Sequence, residues 1–540
     1  MPTFDQSRYK GLIYKIAIPS PLRGLFDYLP PETKQAIVNG MRVQVDFGHR
    51  KVIGFVISRA EESELSREEL KPILQIIDSE PIYSGKLLNL LEWCSQYYQH
   101  PIGDVFNAAT PIKLRSARTI YQQETFYKLL SNNASPGPNG LARAPRQKAL
   151  IGYLENKRNI TKKEIISKGF SNTVINTLEK KGFIKSYIRD SKPQSEFASI
   201  VRNSSKGPEL NSEQQKAIDH IRAQGTGYNC FLLDGVTGSG KTEVYMQIME
   251  DHLTEGRQCL ILIPEIGLTP QTVSRFKNRF QCSIATLHSG INSNKRFEAW
   301  SQARSGASAI IIGTRSCVFT PAPNLGLIIV DEEHDGSFKQ QEGFRYSARD
   351  IAVMRARKEN IPVILGSATP SLESLYNARK KKFIYLSLSQ RAGAASQAVA
   401  SIIDTANEAL DNGLSEQLLF KIEKHLSANN QTLLFINRRG YAPVLNCIQC
   451  GWVAECSACI SQLTVHAEPP SMHCHLCGKT HHIPNICPQC KLNKLSTLGV
   501  GTQKLERVLN SKFSNYPVIR IDRDSARSER NFNAMLEQIQ

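Results

Sequence analysis

The sequence predicts an α/β protein of several domains, and three observations predict it. At roughly 150 residues per domain, 540 residues make about three to five domains, each long enough to bury its own core. From residue 210 onward, short apolar runs (231–233, 260–263, 309–312, 327–330 and 363–365) alternate with amphipathic stretches. Runs that are apolar on both faces are the strands of a parallel sheet covered by helices on either side. The first run leads into Asp234-Gly-Val-Thr-Gly-Ser-Gly-Lys-Thr242 and then into the helical pattern of residues 243–250. Strand, glycine-rich turn and helix in that order are the context of a phosphate-binding loop.

Composition narrows the partners. The formal net charge is +18, with basic residues spread along the chain, which favours a polyanion, nucleic acid before membrane. The N-terminal residues lack the apolar core of a signal peptide, and no apolar run approaches the roughly 20 residues that span a bilayer. A cytoplasmic, soluble protein without a membrane partner is expected. Eight of the 13 cysteines lie between Cys447 and Cys490, which points to metal rather than disulfides. Cys94, Cys230, Cys259, Cys282 and Cys317 stand singly in apolar surroundings, as core residues do.

Residues 11–118 read as a first, β-rich module, with strands at 43–47 and 52–57 joined by Gly48-His-Arg-Lys51 and a helix at 86–98. On its residues alone it suits a structural or a ligand-binding role. Residues 131–140 are a linker by composition. In residues 146–188, helical patterns near 147–154, 162–166 and 172–181 precede a strand at 182–187, which suggests a winged helix-turn-helix. A packing module of the same fold without groove contact remains open. A second polar stretch, 189–208, leads to an α/β lobe over 206–385, where polar clusters follow the strands. Ligand sites on such sheets lie at the carboxyl ends of the strands.

Gly235, Gly238 and Gly240 let backbone N–H groups close round phosphate oxygens at a helix N-terminus. Lys241 would reach the β- and γ-phosphates of ATP, and the Thr242 hydroxyl would bind Mg²⁺. Asp331, just after a buried strand, is placed to hold Mg²⁺, and Glu332 to orient and deprotonate the attacking water. Within residues 336–349, Phe338, Phe344 and Tyr346 alternate with Lys339, Arg345 and Arg349, as base stacking and phosphate pairing require. Cys447 and Cys450, Cys456 and Cys459, Cys474 and Cys477, and Cys487 and Cys490 form four Cys-x-x-Cys knuckles, enough for two closed, structural Zn²⁺ sites. Spacing leaves the pairing of the knuckles open.

These clusters in this order resemble a superfamily 2 helicase. The resemblance makes Gln214 an adenine-reading residue, Gly313-Thr-Arg315 a contact to single-stranded DNA, and Ser367-Ala-Thr369 the motif that couples hydrolysis to strand movement. With the eight-cysteine insertion and the two N-terminal modules, the chain from about Ile13 onward is similar to the bacterial PriA (primosomal protein N′) family of replication restart helicases. That resemblance implies a RecA-like P-loop helicase lobe and a partial second lobe carrying a zinc-binding insertion. A small β-rich DNA-binding module and a winged helix precede them. It implies that residues 11–118 bind the 3′ end of a nascent strand, with Phe26, Asp27, Gly48 and Lys71 at the pocket. It pairs the outer knuckles on one zinc and the inner knuckles on the other. It further implies ATP-driven movement 3′ to 5′, forked and single-stranded DNA as substrates, and primosome proteins, the replicative helicase loader and single-strand-binding protein as partners.

The second lobe reads as starting at 386–446, interrupted by the zinc insertion at 447–490 and continuing at 491–540. The family's later motifs do not follow, so the expectation is a C-terminally truncated member that binds fork DNA, hydrolyses ATP poorly and does not unwind. A non-catalytic fork-binding adaptor is the alternative. A zinc-ribbon RNA helicase or transcription factor lacks support from the N-terminal module.

Overall fold

The structure, a computed structural model, describes residues 9–33, 35–120, 122–130, 144–155, 160–191, 207–264, 270–392, 399–405, 410–411, 413–436, 444–466, 471–474, 476–498, 502–521 and 529–539. The chain divides into two units, Met1–Gln397 and Ala398–Gln540. The linker read at residues 131–140 and most of the stretch at 189–208 lie outside the described residues, as do residues 437–440.

In the first unit, β1 (Tyr9–Ala17), β2 (Phe26–Tyr28), β3 (Arg42–Phe47), β4 (Arg50–Ser63) and β5 (Gln75–Ile76) form an antiparallel sheet in the order β2-β1-β4-β3-β5. Phe47 pairs with Arg50, so the β3–β4 turn holds two residues rather than the four read from the sequence. Gly48 takes φ +59° there, a left-handed backbone that most side chains avoid. Helices α1 (Gly85–Tyr97), capped by the Ser84 hydroxyl, and α2 (Ile102–Ala109) cover this sheet. Arg42 is wholly buried, forks onto Asp78 at 2.6 and 2.9 Å, and donates to the carbonyls of Leu114 and Arg118. The pair thereby ties the exit of the module to its sheet.

The next body is β6 (Gln122–Leu129), α3 (Pro145–Glu155), β7 (Ile160–Thr161), α4 (Lys162–Ser167), α5 (Asn172–Lys180) and β8 (Ile184–Ser191). The three strands pair in the order β7-β6-β8 over a core that includes Leu150, Leu154, Ile165, Ile175 and Leu178. The body therefore begins at Gln122, not at residue 146. Strand β6 escapes a reading by pattern because its eight residues, QQETFYKL, barely alternate.

The lobe that follows comprises α6 (Ser212–Ala223), β9 (Cys230–Gly235), α7 (Lys241–Thr254), β10 (Gln258–Leu262), α8 (Pro270–Phe280), β11 (Ile284–Leu287), α9 (Ser293–Ser305), β12 (Ile310–Gly313), β13 (Leu325–Asp331), α10 (Ala348–Glu359), β14 (Val363–Ser367), α11 (Leu372–Arg379) and β15 (Ile384–Leu388). Its seven strands are parallel, in the order β11-β12-β10-β13-β14-β9-β15. Alternate residues feed two cores. Leu232, Leu260, Ile328 and Leu365 lie on one face, and Phe231, Cys259, Ile329 and Ile364 on the other. The first core continues into Phe55, Tyr83, Leu87 and Phe106, so module and lobe share apolar packing. The sequence reading missed β11 and β15, the two edge strands, which are only half-buried. The five isolated cysteines are all buried, and burial pushes the Cys94 thiol up to about 12.

In the second unit, α12 (Glu416–Ser427) and β16 (Val444–Cys447), β17 (Thr464–His466), β18 (Ser471–His473), β19 (Thr480–His481) and β20 (Leu495–Leu498) precede α13 (Thr502–Lys512) and α14 (Glu529–Ile539). The strands form an antiparallel sheet, β19-β18-β17-β16-β20, that frames the cysteines. The segments 431–436 and 518–521 join no sheet among the described residues. Leu434, Ile436 and Val518 pack with Leu414, Leu505 and Leu509, whereas Leu433 and Phe435 are 92% and 83% exposed. The alternation is that of a strand, but no strand pairs with these residues among the described residues. Among the described residues, no helix is long and apolar enough to cross a membrane.

Candidate nucleotide, nucleic-acid and metal sites

Register decides which loops meet. Strand β14 lies between β9 and β13, with Ser367 opposite Asp234 and Gly366 opposite Asp331. The glycine-rich loop after β9 and the acidic cluster after β13 thus flank one strand end. Gly238 and Gly240 take φ +81° and +79°, and Gly240 leads directly into α7. Lys241 is buried, and its Nζ donates to the Gly235 carbonyl at 2.8 Å. The Ser239 hydroxyl is buried and has no hydrogen-bond partner among the described residues. Loop N–H groups, an ammonium and an orphaned hydroxyl fit a polyphosphate. Thr242 is half-buried in the first turn of α7. Gln214 forms a capping box with Asn211, and its Nε2 donates to the Ser239 carbonyl at 2.8 Å. Its amide therefore braces the loop.

Asp331 Oδ1 accepts a 3.0 Å hydrogen bond from the Tyr245 phenol. Burial raises the Asp331 carboxyl, and the Glu332 charge adds to this, while the Tyr245 bond and Lys241 act the other way. Burial also holds the Tyr245 phenol well above its usual range, so it keeps its proton and donates. Glu332 takes φ +48°, a strained backbone for glutamate, and lies 3.6 Å from His334 Nδ1. His334 Nδ1 is 2.7 Å from Ser367 Oγ, which accepts from the Thr369 N–H at 3.0 Å. Glu333 turns the opposite way and is buried. It accepts from the Ser371 N–H (2.6 Å), the hydroxyls of Ser371 (3.0 Å) and Ser374 (2.9 Å), and Arg349 Nη1 (3.2 Å). Sequence reasoning missed Tyr245 and Glu333, because nothing in spacing announces which carboxylate of an adjacent pair turns inward.

The aromatic residues of the 336–349 segment are a correction. Phe338, Phe344 and Tyr346 are only 2%, 5% and 7% exposed. Phe344 and Tyr346 stack at 4.8 Å, Tyr346 meets Phe319 at 5.2 Å, and Tyr98 meets Phe344 at 5.8 Å. These rings have the packing that large apolar surfaces seek and are not presented to bases. The alternation is real but inverted in its consequence, since Lys339 and Arg345 face outward and Arg349 is buried on Glu333. Arg315 Nη1 donates to the carbonyls of Ser337 (3.0 Å) and Lys339 (3.1 Å), so it holds this segment in place.

In the N-terminal module, Phe26 meets Phe47 edge-on at 4.8 Å, directly before the Gly48 turn. Asp27 pairs with Lys15 at 3.0 Å and accepts from Ser63 Oγ at 2.7 Å. The Leu29 N–H donates to the Lys71 carbonyl, which sets exposed Lys71 beside the chain two residues past Asp27.

The cysteines gather in two sets, Cys447, Cys450, Cys487 and Cys490, and Cys456, Cys459, Cys474 and Cys477, with all sulfurs of a set within 4.8 Å of one another. The closest contacts are 3.5 Å (Cys447 to Cys490), 3.6 Å (Cys450 to Cys487 and Cys456 to Cys477) and 3.3 Å (Cys459 to Cys474). A tetrahedron with Zn–S of 2.3 Å has edges of about 3.8 Å, so both sets fit Zn²⁺. Gly451, Gly478 and Lys491, each just past a knuckle, take φ +73°, +75° and +61° to close the turns. Within the second set the Cys477 backbone N–H lowers the Cys474 thiol, while the Cys459 and Cys477 thiols are raised. His481 Nε2 lies 3.6 Å from Cys456 Sγ.

Residues 15–111 match the family described as a 3′ DNA-binding domain, and residues 211–378 match the DEAD/DEAH box helicases. The replication restart protein PriA of Haemophilus influenzae is 42% identical over 534 residues, spanning 98% of this chain and 72% of that protein. The PriA proteins of Bacillus subtilis and Chlamydia pneumoniae are 32% and 34% identical, spanning 93% and 98% of this chain and 71% and 72% of theirs.

Proposed function

The chain belongs to the PriA family of replication restart helicases, and on that premise we propose that it is an ATP-driven DNA motor that moves 3′ to 5′ and recognises stalled forks. The observation that carries the reading is the single strand end at which the glycine-rich loop and Asp331 come together. Lys241 would exchange the Gly235 carbonyl for β- and γ-phosphate oxygens, and Thr242 and Asp331 would hold Mg²⁺. Bound Mg²⁺ supplies charge neutralisation to the phosphates. Glu332, on its left-handed backbone, would orient the attacking water. The His334–Ser367 contact offers a direct path from this site to the motif after β14.

For DNA, exposed Lys339 and Arg345 would pair with phosphates while Arg315 braces their segment. Phe26, Asp27, Gly48 and Lys71 would receive the 3′ end. The domains proposed are 11–118 for that end, 122–191 for the winged helix, 206–385 for the first lobe, 386–446 and 491–540 for the second, and 447–490 for two structural zincs. Single-strand-binding protein, primosome proteins and a helicase loader are the proposed partners, in the cytoplasm. A second reading, a non-catalytic fork-binding adaptor, is favoured by the exposed Leu433 and Phe435, whose segment joins no sheet among the described residues.

A fork whose nascent strand ends in a free 3′ hydroxyl is expected to bind about tenfold more tightly than one ending in a 3′ phosphate, because the phosphate would face the Asp27 carboxylate. Fluorescence anisotropy measures this directly. Equal affinities would remove the assignment of the 3′ end to this module.

A further inference from the structure

We propose that Tyr245 is a positioning residue for the metal carboxylate, its phenol fixing the Asp331 side chain so that a divalent cation can bind together with the nucleotide. The inference rests on the reading of Asp331 as the Mg²⁺ carboxylate and adds a residue to it.

Two observations carry it. Tyr245 sits on α7, one turn after Lys241 and Thr242, and its hydroxyl donates to Asp331 Oδ1 at 3.0 Å. One hydrogen bond thus links the helix that presents the threonine to the strand that presents the carboxylate, and sets the distance between two groups that must share one ion. The second observation is Gly366, which lies opposite Asp331 on β14. A Cβ there would fall 1.6 Å from the Tyr245 hydroxyl oxygen. Gly366 lies in a regular strand with no left-handed backbone to require glycine. Its missing side chain is accounted for by the phenol that crosses it to reach Asp331. A tyrosine that merely filled the core would not need a gap cut in the neighbouring strand at the position of its hydroxyl.

Outer partners that orient metal ligands typically change metal affinity 10–100-fold when removed. The test needs no turnover: binding of a fluorescent ADP analogue is measured against Mg²⁺ concentration for the full chain and for Tyr245→Phe, Gly366→Ala and Asp331→Asn. Tyr245→Phe is expected to keep its melting temperature within a few degrees and its metal-free nucleotide affinity, while the Mg²⁺ concentration for half-maximal binding rises roughly tenfold. A folded Gly366→Ala is expected to move that midpoint in the same direction. If Asp331→Asn moves the midpoint and Tyr245→Phe does not, the positioning role is wrong and Tyr245 is a core residue. If Asp331→Asn itself leaves the midpoint unmoved, the reading of Asp331 beneath it falls instead.

Discussion

Glu333 is a carboxylate sealed from water, and four donors surround it. Replacing it with leucine would leave the Ser371 and Ser374 donors without this acceptor and take one carboxylate partner from the buried Arg349 guanidinium. Arg349 keeps Asp350 at 2.8 Å, so the cost is expected at the lower end for a broken buried pair, about 3 kcal/mol. Urea unfolding followed by tryptophan fluorescence would show it, and an unchanged midpoint would contradict the network. The run Asp331-Glu332-Glu333-His334 was legible as a site, but the division of labour within it was not. Side-chain direction at a strand end depends on one backbone angle, here φ +48° at Glu332, and residue types do not encode that angle.

At the scale of elements, the 336–349 segment separates packing from binding within neighbouring residues. Phe344→Ala is expected to cost roughly 3–5 kcal/mol of stability. Arg345→Ala should leave stability within about 0.5 kcal/mol and lower the salt dependence of single-strand binding by about one ion. Thermal melts and salt titrations of the two variants distinguish the roles, and a reversed result would return the rings to the DNA. A period of two says that aromatic and cationic side chains point oppositely; it does not say which side is the core. The cysteine knuckles were legible because metal ligation demands its own spacing; spacing left their pairing open, and the fold gathers them in the two sets that the resemblance implied. Two zincs per chain are expected, falling to one in either Cys447→Ser or Cys456→Ser, measured by metal release with a colorimetric chelator. Loss of both from a single substitution would contradict two separate sites.

At the scale of the molecule, the parallel sheet was readable from its central strands because they are apolar throughout, and its edges were not because they are half-wet. The net charge of +18 named the partner class in advance, and the match to a 3′ DNA-binding family agrees with it. The second lobe was the least legible part, since a strand pattern such as residues 431–436 becomes a strand only with neighbours to pair with. All of this converges on one site, the glycine-rich loop facing Asp331 and Glu332. The most direct measurement is ATP hydrolysis by the 540-residue chain with and without forked DNA, beside Lys241→Ala. The expected result is turnover that forked DNA raises and Lys241→Ala abolishes. Turnover that survives Lys241→Ala, or a fork that binds without raising turnover, would contradict a DNA-coupled ATP site in this lobe.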